Sequence, residues 1–197
     1  MDNTMKLKYY TLLKNLEGKE FLSSLIAYNA APTIEDEKPS SLISFNASKK
    51  NLLTLWQKYK FQVCDELGLN FYEIKGDHNK KLVLFFKEDF LEEHLYKRDS
   101  LKFLKNIGYK EKMSLIEMLN ILRNRFEVES CPHEVGIFLG IPIEDVEAFI
   151  ENKGEGYLFY KYWKVYHNPE EASEIFNRYD NSKEVIINFI EREYCPI

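Results

Sequence analysis

The stretch SCPHEVGIFLGIPIEDVEAFI, residues 130–150, places a histidine and a glutamate side by side at the start of a predicted helix. In a zinc-protease helix a second histidine follows four residues after the first, and the glutamate acts as the base. Here the residue four after His133 is Ile137, which has no ligating atom. His133 and Glu134 remain candidates for acid–base catalysis, because an unperturbed imidazole titrates near neutrality. The structural alternative is that the helix dipole favours an acidic residue in the first turn.

Cys131 lies two residues before His133, so a cysteine nucleophile with its base is a second hypothesis. A helix N-terminus does stabilise a thiolate. Side chains two residues apart on a helix do not face each other, however, and the sequence offers no third group to orient the histidine. The spacing therefore favours a structural cysteine.

Lysines in two loops could bind an anion. Lys38 follows the acidic run of NAAPTIEDEKPSS, residues 29–41, where two prolines favour a structured loop. Simple solvation accounts equally well for a lysine in an acidic loop. Lys153 opens KGEG, residues 153–156, which has neither the third glycine of a dinucleotide fingerprint nor the Gly-Lys-Ser/Thr of a P-loop. We interpret KGEG as a helix end and a turn, from which Lys153 could reach an anion.

The segment YLFYKYWKVYH, residues 157–167, interleaves aromatic residues with lysines. Such a pattern suits stacking on nucleic-acid bases, but it is also typical of a half-buried strand whose lysines oppose aggregation. If Trp163 and Lys164 are exposed, the strand offers a binding surface. The chain has 27 Lys and Arg residues against 32 Asp and Glu residues, a net charge of −5, which disfavours nucleic acid as a partner.

The chain of 197 residues, 45% of them hydrophobic, is long enough for one domain with a core. We expect a single domain over 1–197, made of an N-terminal helix and loop (1–41), an α/β core (42–126) and a helical segment with the aromatic strand (127–197). Its apolar stretches are far shorter than the ~20 residues that span a bilayer, and its start does not resemble a signal peptide. Three cysteines without C-x-x-C spacing argue against a disulfide framework or a zinc site. We expect a cytoplasmic protein without a membrane partner, metal or cofactor.

Hydrophobic periodicity, with glycine and proline as breaks, predicts the order of elements. Helices are predicted over 5–28 with a break at Gly18, 49–67 with Ser48 as N-cap, 89–104, 114–126 with Ser114 as N-cap, 132–140, 143–152, 169–178 and 182–193; strands are predicted over 42–46, 70–75, 81–87 and 157–167. The order strand–helix–strand–strand–helix–strand is that of the ferredoxin-like split βαβ fold. We predict an α+β fold, ferredoxin-like or with a related small mixed or antiparallel sheet, packed with helices on one side. A helical insertion precedes the last strand.

Three segments resemble an uncharacterised bacterial family, domain-of-unknown-function family 3793. They are AAPTIEDEKPSSLISF (30–45), PHEVGIFLGIPIEDVEAFIENKG (132–154) and YWKVY (162–166). The resemblance implies no activity, ligand or cofactor, but it adds weight to a role for Thr33, Lys38, His133, Glu134, Lys153, Trp163, Lys164 and Tyr166. Members of this family often carry cysteine where this chain has Ala30, Tyr160 and Ser182. A metal or iron–sulfur site built on those cysteines is therefore not expected here.

Three functional hypotheses follow. The first is a non-catalytic module that binds a small anionic ligand or a partner protein near His133, through Thr33, Lys38, Lys153, Trp163, Lys164 and Tyr166. The second is a small enzyme, a hydrolase or transferase, with His133 as general acid or base and Lys38 or Lys153 stabilising negative charge. The third is a component of a complex that uses the aromatic strand as its interface.

Overall fold

A computed structural model describes residues 3–47 and 50–194. The helices of these residues are α1 (Asn3–Lys14), α2 (Gly18–Asn29), α3 (Ala31–Ile34), α4 (Leu52–Glu66), α5 (Glu88–Leu95), α6 (Arg98–Asn106), α7 (Leu115–Val128), α8 (Val135–Phe138), α9 (Ile143–Glu151) and α10 (Pro169–Tyr194). The strands are β1 (Ser40–Asn46), β2 (Asn70–Gly76), β3 (Lys80–Phe86), β4 (Phe159–Tyr160) and β5 (Lys164–Val165). None of these helices is long and apolar enough to span a membrane.

The central sheet has the order β1–β3–β2, and both strand pairs are antiparallel. β1 and β2 therefore run parallel on either side of β3 and are connected through α4, which is the split βαβ unit predicted from the sequence. The predicted strands 70–75 and 81–87 form a hairpin, and in its turn the Asp77 carboxylate accepts hydrogen bonds from the backbone N–H groups of Asn79 and Lys80, at 2.6 and 2.9 Å. The α+β class with a small antiparallel sheet is confirmed.

Helices cover both faces of this sheet, so the prediction of helices on one side was wrong. Successive side chains of a strand point to opposite faces. In β3, Val83 and Phe85 join a core formed with α1, α2, α4 and α10, whereas Leu84 and Phe86 join a second core formed with α5 to α9. An apolar residue at every position of LVLFF already indicates a strand buried on both faces.

The predicted strand over 157–167 was also wrong. Only β4 and β5 form, as an antiparallel hairpin of two residues per strand that is separate from the central sheet. Trp163 and Val165 are buried against α10, and the rings of Trp163 and Phe176 lie 4.4 Å apart. The aromatic residues therefore reflect packing against a helix, which β-propensity does not distinguish from packing in a sheet.

Several helix boundaries differ from the prediction. α10 is one helix where two were predicted, and the Ser182 hydroxyl donates to the Arg178 carbonyl inside it. The predicted helix 89–104 is divided into α5 and α6, and the predicted loop 29–41 contains α3. The predicted N-cap Ser48 lies outside the described residues. The cap at Ser114 is confirmed, since its backbone N–H and hydroxyl both donate to the Glu117 carboxylate at 2.7 Å.

Candidate functional site

A tight turn precedes α8, and its two polar residues, His133 and Glu134, point in different directions. The N–H of Val135 donates to the Pro132 carbonyl at 3.1 Å, and the N–H of Gly136 donates to the His133 carbonyl at 3.0 Å. The helix that follows has four residues, far fewer than the predicted 132–140. His133 is exposed at this turn, whereas Glu134 is buried.

Glu134 is part of a buried ion pair. Its carboxylate contacts Nε of Arg125 on α7 and accepts a long hydrogen bond from the Tyr109 hydroxyl, at 3.5 Å. Burial, followed by the Glu134 charge, raises the pKa of Tyr109. The carboxylate is thus engaged with α7, on the side of the turn away from solvent, and ties α8 to that helix.

Asp145, in the first turn of α9, anchors the β4–β5 hairpin. One carboxylate oxygen accepts the indole N–H of Trp163 at 2.7 Å, and the other accepts the backbone N–H groups of Tyr166 and His167 at 2.9 Å each. The Asp145 residue is only 2% exposed. Sequence reasoning missed this residue, because the helix dipole by itself accounts for an acid in a first turn.

A cavity of about 160 Å³ lies between α8, α9 and this hairpin, and we call it the hairpin cavity. Its walls are formed by Val135, Gly136, Leu139, Ile141, Val146, Phe149 and Trp163, with Cys131, His133, Asp145 and Lys164 as the polar residues. Because the Asp145 carboxylate is occupied by the hairpin, the imidazole, the thiol and the ammonium are the polar groups able to meet a ligand.

The His133 imidazole has no hydrogen bond to any described residue, and its ring lies edge-on to Phe149 with 5.4 Å between the centroids. Lys164 is partly buried, and its Nζ donates to the Gly154 carbonyl at 2.6 Å. This contact places a positive charge at the C-terminus of α9, where the helix dipole is negative. An ammonium has three donors, of which the Gly154 carbonyl takes one, and the ring centroid of Tyr157 lies 4.7 Å from the same Nζ.

Cys131 is not activated as a nucleophile. Partial burial of its sulfur, and then the neighbouring Glu134 charge, raise the pKa of the Cys131 thiol. A nucleophilic cysteine requires the opposite shift, since the thiolate is the reactive form.

The remaining predicted residues are distributed over other parts of the fold. Thr33 is fully buried, and its hydroxyl shares a hydrogen bond of 2.8 Å with that of Ser41. Lys153 is exposed just beyond the C-terminus of α9 and does not line the hairpin cavity. Lys38 lies over the Tyr179 ring on α10, with Nζ 5.9 Å from the centroid.

Tyr166 leaves a buried hydroxyl oxygen without a hydrogen-bond partner among the described residues. Burial, followed by the charges of Glu155 and Asp145, raises the pKa of this phenol. The Tyr166 backbone, in contrast, is fixed by Asp145. His133, Trp163 and Lys164 therefore line one cavity. Tyr166 does not line it, but its backbone N–H is bound to Asp145, which does.

The segments that carry the family resemblance pack against one another. A Cβ atom at Gly140 would lie only 2.6 Å from Cδ of Pro39, and the Ser40 hydroxyl donates to the Phe138 carbonyl at 2.7 Å. Within the segment 132–154, a Cβ atom at Gly136 would lie 2.8 Å from Cγ2 of Val146, so α8 and α9 are also closely packed. Together with the bonds from Asp145, these contacts make one structural unit of the three segments.

Within residues 3–47 and 50–194, no group of three or more His, Cys, Asp or Glu side chains is placed to hold a metal ion.

The fold and the site define an α+β protein in which a split βαβ sheet supports a small cavity closed by an aromatic hairpin. The chain belongs to the family described as Protein of unknown function (DUF3793), which matches residues 26–195 and so includes all three segments. The predicted family is confirmed. No curated protein and no solved structure matches the chain significantly.

Proposed function

We propose that this chain is a cytoplasmic, non-catalytic protein that binds a small ligand with an apolar body and an anionic group in the hairpin cavity. The observation that carries the proposal is the combination of apolar walls with two cationic or proton-donating groups, the unbonded His133 imidazole and the Lys164 ammonium. Ligand sites are typically apolar with a few polar groups that fix the orientation of the ligand.

The volume of the cavity limits the ligand to a small molecule. A cavity of about 150 Å³ lined by apolar side chains holds one benzene molecule, and the hairpin cavity measures about 160 Å³. A benzoate-sized carboxylate is therefore the appropriate probe. Burial of about 100 Å² of apolar surface contributes about 2.5 kcal/mol, and a hydrogen bond to a charged group contributes about 1.5–3 kcal/mol. Their sum is about 4–5.5 kcal/mol, and because association also costs translational and rotational freedom, the weaker end of this range applies, a Kd of about 1 mM.

The contacts of the other candidate groups favour binding over the enzyme hypothesis. The Glu134 carboxylate is paired with Arg125, and the pKa of the Cys131 thiol is raised by burial. The lysines assigned to charge stabilisation in that hypothesis, Lys38 and Lys153, do not line the hairpin cavity. His133 is therefore interpreted as a ligand-binding group.

The burial of Trp163 favours a small ligand over a partner protein that binds through this ring. Trp163 is only 8% exposed, so the indole faces the cavity and its ring neighbours. A protein interface centred on Trp163 would require this ring on the surface.

Isothermal titration calorimetry with three probes tests the proposal. Benzoate has both the ring and the carboxylate, benzyl alcohol has the ring without the charge, and formate has the charge without the ring. We expect benzoate to bind with a Kd of about 1 mM. Benzyl alcohol should bind about tenfold more weakly, because it lacks the charge interaction and a loss of about 1.4 kcal/mol raises the Kd tenfold.

Variants locate the binding. Lys164→Met and His133→Ala are expected to weaken benzoate binding, Lys164→Met about tenfold because it removes the charged donor. Lys153→Met is the matched control, since it removes an exposed lysine from the end of α9 without touching the cavity. Equal benzoate affinity in all four proteins, or no benzoate binding at about ten times the expected Kd, contradicts the proposal.

A further inference from the structure

A second group of polar side chains lies where α10 meets the loop after α3 and the β4–β5 hairpin. It consists of two lysines and three tyrosine rings, which we call the lysine–tyrosine cluster: Lys38, Lys183, Tyr28, Tyr162 and Tyr179. None of these side chains lines the hairpin cavity. The cluster is therefore a site distinct from that of the proposed function.

Ring contacts place the two ammonium groups over neighbouring tyrosine rings. Nζ of Lys183 lies 4.6 Å from the Tyr162 ring centroid and 5.4 Å from that of Tyr28. Nζ of Lys38 lies 5.9 Å from the Tyr179 ring centroid, and the rings of Tyr162 and Tyr179 are 5.1 Å apart. Two cations thus lie over two neighbouring rings.

The carboxylates near this cluster are engaged by other cations. The Asp180 carboxylate accepts hydrogen bonds from Lys161 at 2.7 Å and from the Tyr162 hydroxyl at 2.8 Å. Glu37 pairs with Arg178 at 2.8 Å. Among the described residues, no carboxylate forms an ion pair with either Lys38 or Lys183.

The environment disfavours both positive charges in the absence of an anion. Burial, and then repulsion by Lys183, lower the pKa of Lys38 to about 8. Burial also lowers the pKa of Lys183; Asp180 opposes this effect, and Lys6 and Lys161 add to it. Partly buried ammonium groups that form no ion pair among the described residues are costly to keep ionised, and a bound anion reduces that cost.

We propose that Lys38 and Lys183 together bind a phosphate group, either free inorganic phosphate or the phosphate of a small monoester. Two adjacent ammonium groups, with Lys161 nearby, match the charge of a dianion better than that of a single carboxylate. The tyrosine rings provide an apolar rim beside the two charges. This site is independent of the hairpin cavity.

Calorimetric and thermal titrations with inorganic phosphate, phenyl phosphate and sodium chloride at equal ionic strength test this inference. We expect both phosphates to bind and to raise the melting temperature, and chloride to do neither. In the Lys164→Met protein, whose hairpin cavity lacks its charged donor, tighter binding of phenyl phosphate than of inorganic phosphate identifies a monoester as the occupant, whereas equal affinity identifies the phosphate group alone. An equal effect of chloride, or no binding of either phosphate, overturns the inference.

Substitutions with methionine assign the site, because methionine keeps the apolar stem and removes the charge. We expect Lys38→Met and Lys183→Met each to weaken phosphate binding about tenfold, which corresponds to the loss of about 1.4 kcal/mol. Lys102→Met, at an exposed position of α6, makes the same charge change and should leave binding unchanged. Unaltered phosphate affinity in both cluster variants overturns the inference.

A measurement on the wild-type protein tests the inference even if a substituted protein folds poorly. In wild-type protein labelled with ¹³C-lysine, phosphate should raise the pKa of Lys38, measured by NMR, because a bound anion favours the ammonium form. An unchanged pKa of Lys38 at saturating phosphate overturns the inference without any substitution. His133→Ala should leave this response intact, so failure of the cavity proposal and failure of this one are distinguishable.

Discussion

The Asp145 carboxylate accepts the indole N–H of Trp163 at 2.7 Å, and this bond joins the helix of one family segment to the hairpin of another. Its second oxygen binds the backbone N–H groups of Tyr166 and His167. One side chain therefore satisfies three donors and holds the wall of the hairpin cavity in place. The position of this wall therefore depends on Asp145, a buried acid that is not among the predicted ligand-binding residues.

Removal of this carboxylate should destabilise the whole protein. Asp145→Ala leaves the indole N–H and two backbone N–H groups without acceptors in a buried position, so we expect a loss of about 3–5 kcal/mol in the free energy of unfolding. Urea denaturation followed by far-ultraviolet circular dichroism measures this loss. Glu147→Ala, at an exposed position of the same helix, is the control and should cost less than about 0.5 kcal/mol. Similar losses in both variants would show that Asp145 is not the anchor.

Two glycines with the same φ angle allow the cost of backbone strain to be measured separately from the cost of a steric contact. Gly140 and Gly156 both have a φ of 73°, but only at Gly140 would a Cβ atom approach Pro39, whereas at Gly156 it would meet no atom within 4 Å. Alanine at either site is expected to lower the free energy of unfolding by about 1–2 kcal/mol, because the left-handed conformation is unfavourable for an L-residue. Gly140→Ala should lower the free energy of unfolding by about a further 1–3 kcal/mol, because Pro39 must move.

Equal melting temperatures of the Gly140→Ala and Gly156→Ala proteins would contradict the close packing of residues 30–45 against residues 132–154. Calorimetric unfolding of both variants is a sufficient measurement. The Gly156→Ala protein supplies the control for backbone strain.

The Arg125–Glu134 pair should behave as a buried ion pair. Arg125→Met leaves the Glu134 carboxylate charged without its partner, and a loss of about 3–5 kcal/mol in unfolding free energy is expected. The double variant Arg125→Met/Glu134→Gln should recover part of this loss, since the uncompensated charge is gone. Chemical denaturation of the two single variants and the double variant completes the cycle. Strictly additive losses would mean that the two side chains do not interact.

The Lys38 charge should reduce stability at neutral pH. Its pKa is lowered from 10.5 in the unfolded chain to about 8 in the fold, so between these values the unfolded state binds the extra proton and stability rises with pH. The cost is fully present below about pH 8. In phosphate-free buffer, Lys38→Met should therefore be more stable than wild type at pH 7, by about 1–3 kcal/mol after solvent screening is allowed for.

This advantage of Lys38→Met should shrink as the pH rises from 8 toward 10.5. Other titrating groups are shared by the two proteins and cancel in the difference between them. Thermal unfolding of both proteins at a series of pH values measures the trend. An advantage that grows with pH, or a wild type that is the more stable protein at pH 7, contradicts the lowered pKa of Lys38.

The sequence predicts the central sheet well because its signals are local. The strand of the apolar run LVLFF and the cap at Ser114 both depend on residues close in sequence, and both form as predicted. The predicted strand 157–167 fails because the aromatic residues pack against α10, which is distant in sequence until the chain folds. Tertiary packing decides between a strand and a short hairpin for such a segment.

The site is only partly predictable for the same reason. The family segments direct attention to His133, Trp163 and Lys164, and these three residues line one cavity. They give no indication that Asp145 binds the hairpin or that Arg125 pairs with Glu134, since each partner comes from another element. Periodicity reports which face of a helix is apolar, but the partner of a polar side chain follows only from the fold.

The most direct test of the central claim is an NMR titration of the wild-type protein with benzoate that follows the two indole N–H signals. Trp163 lines the hairpin cavity, whereas Trp56 lies in the core and donates to Glu73 at 2.9 Å, so Trp56 is an internal control. Trp163→Phe assigns the signals. The proposal predicts that benzoate shifts the Trp163 signal, with saturation at a Kd of about 1 mM, and leaves the Trp56 signal in place. A Trp163 signal that does not move, or equal movement of both signals, would contradict a ligand site in the hairpin cavity.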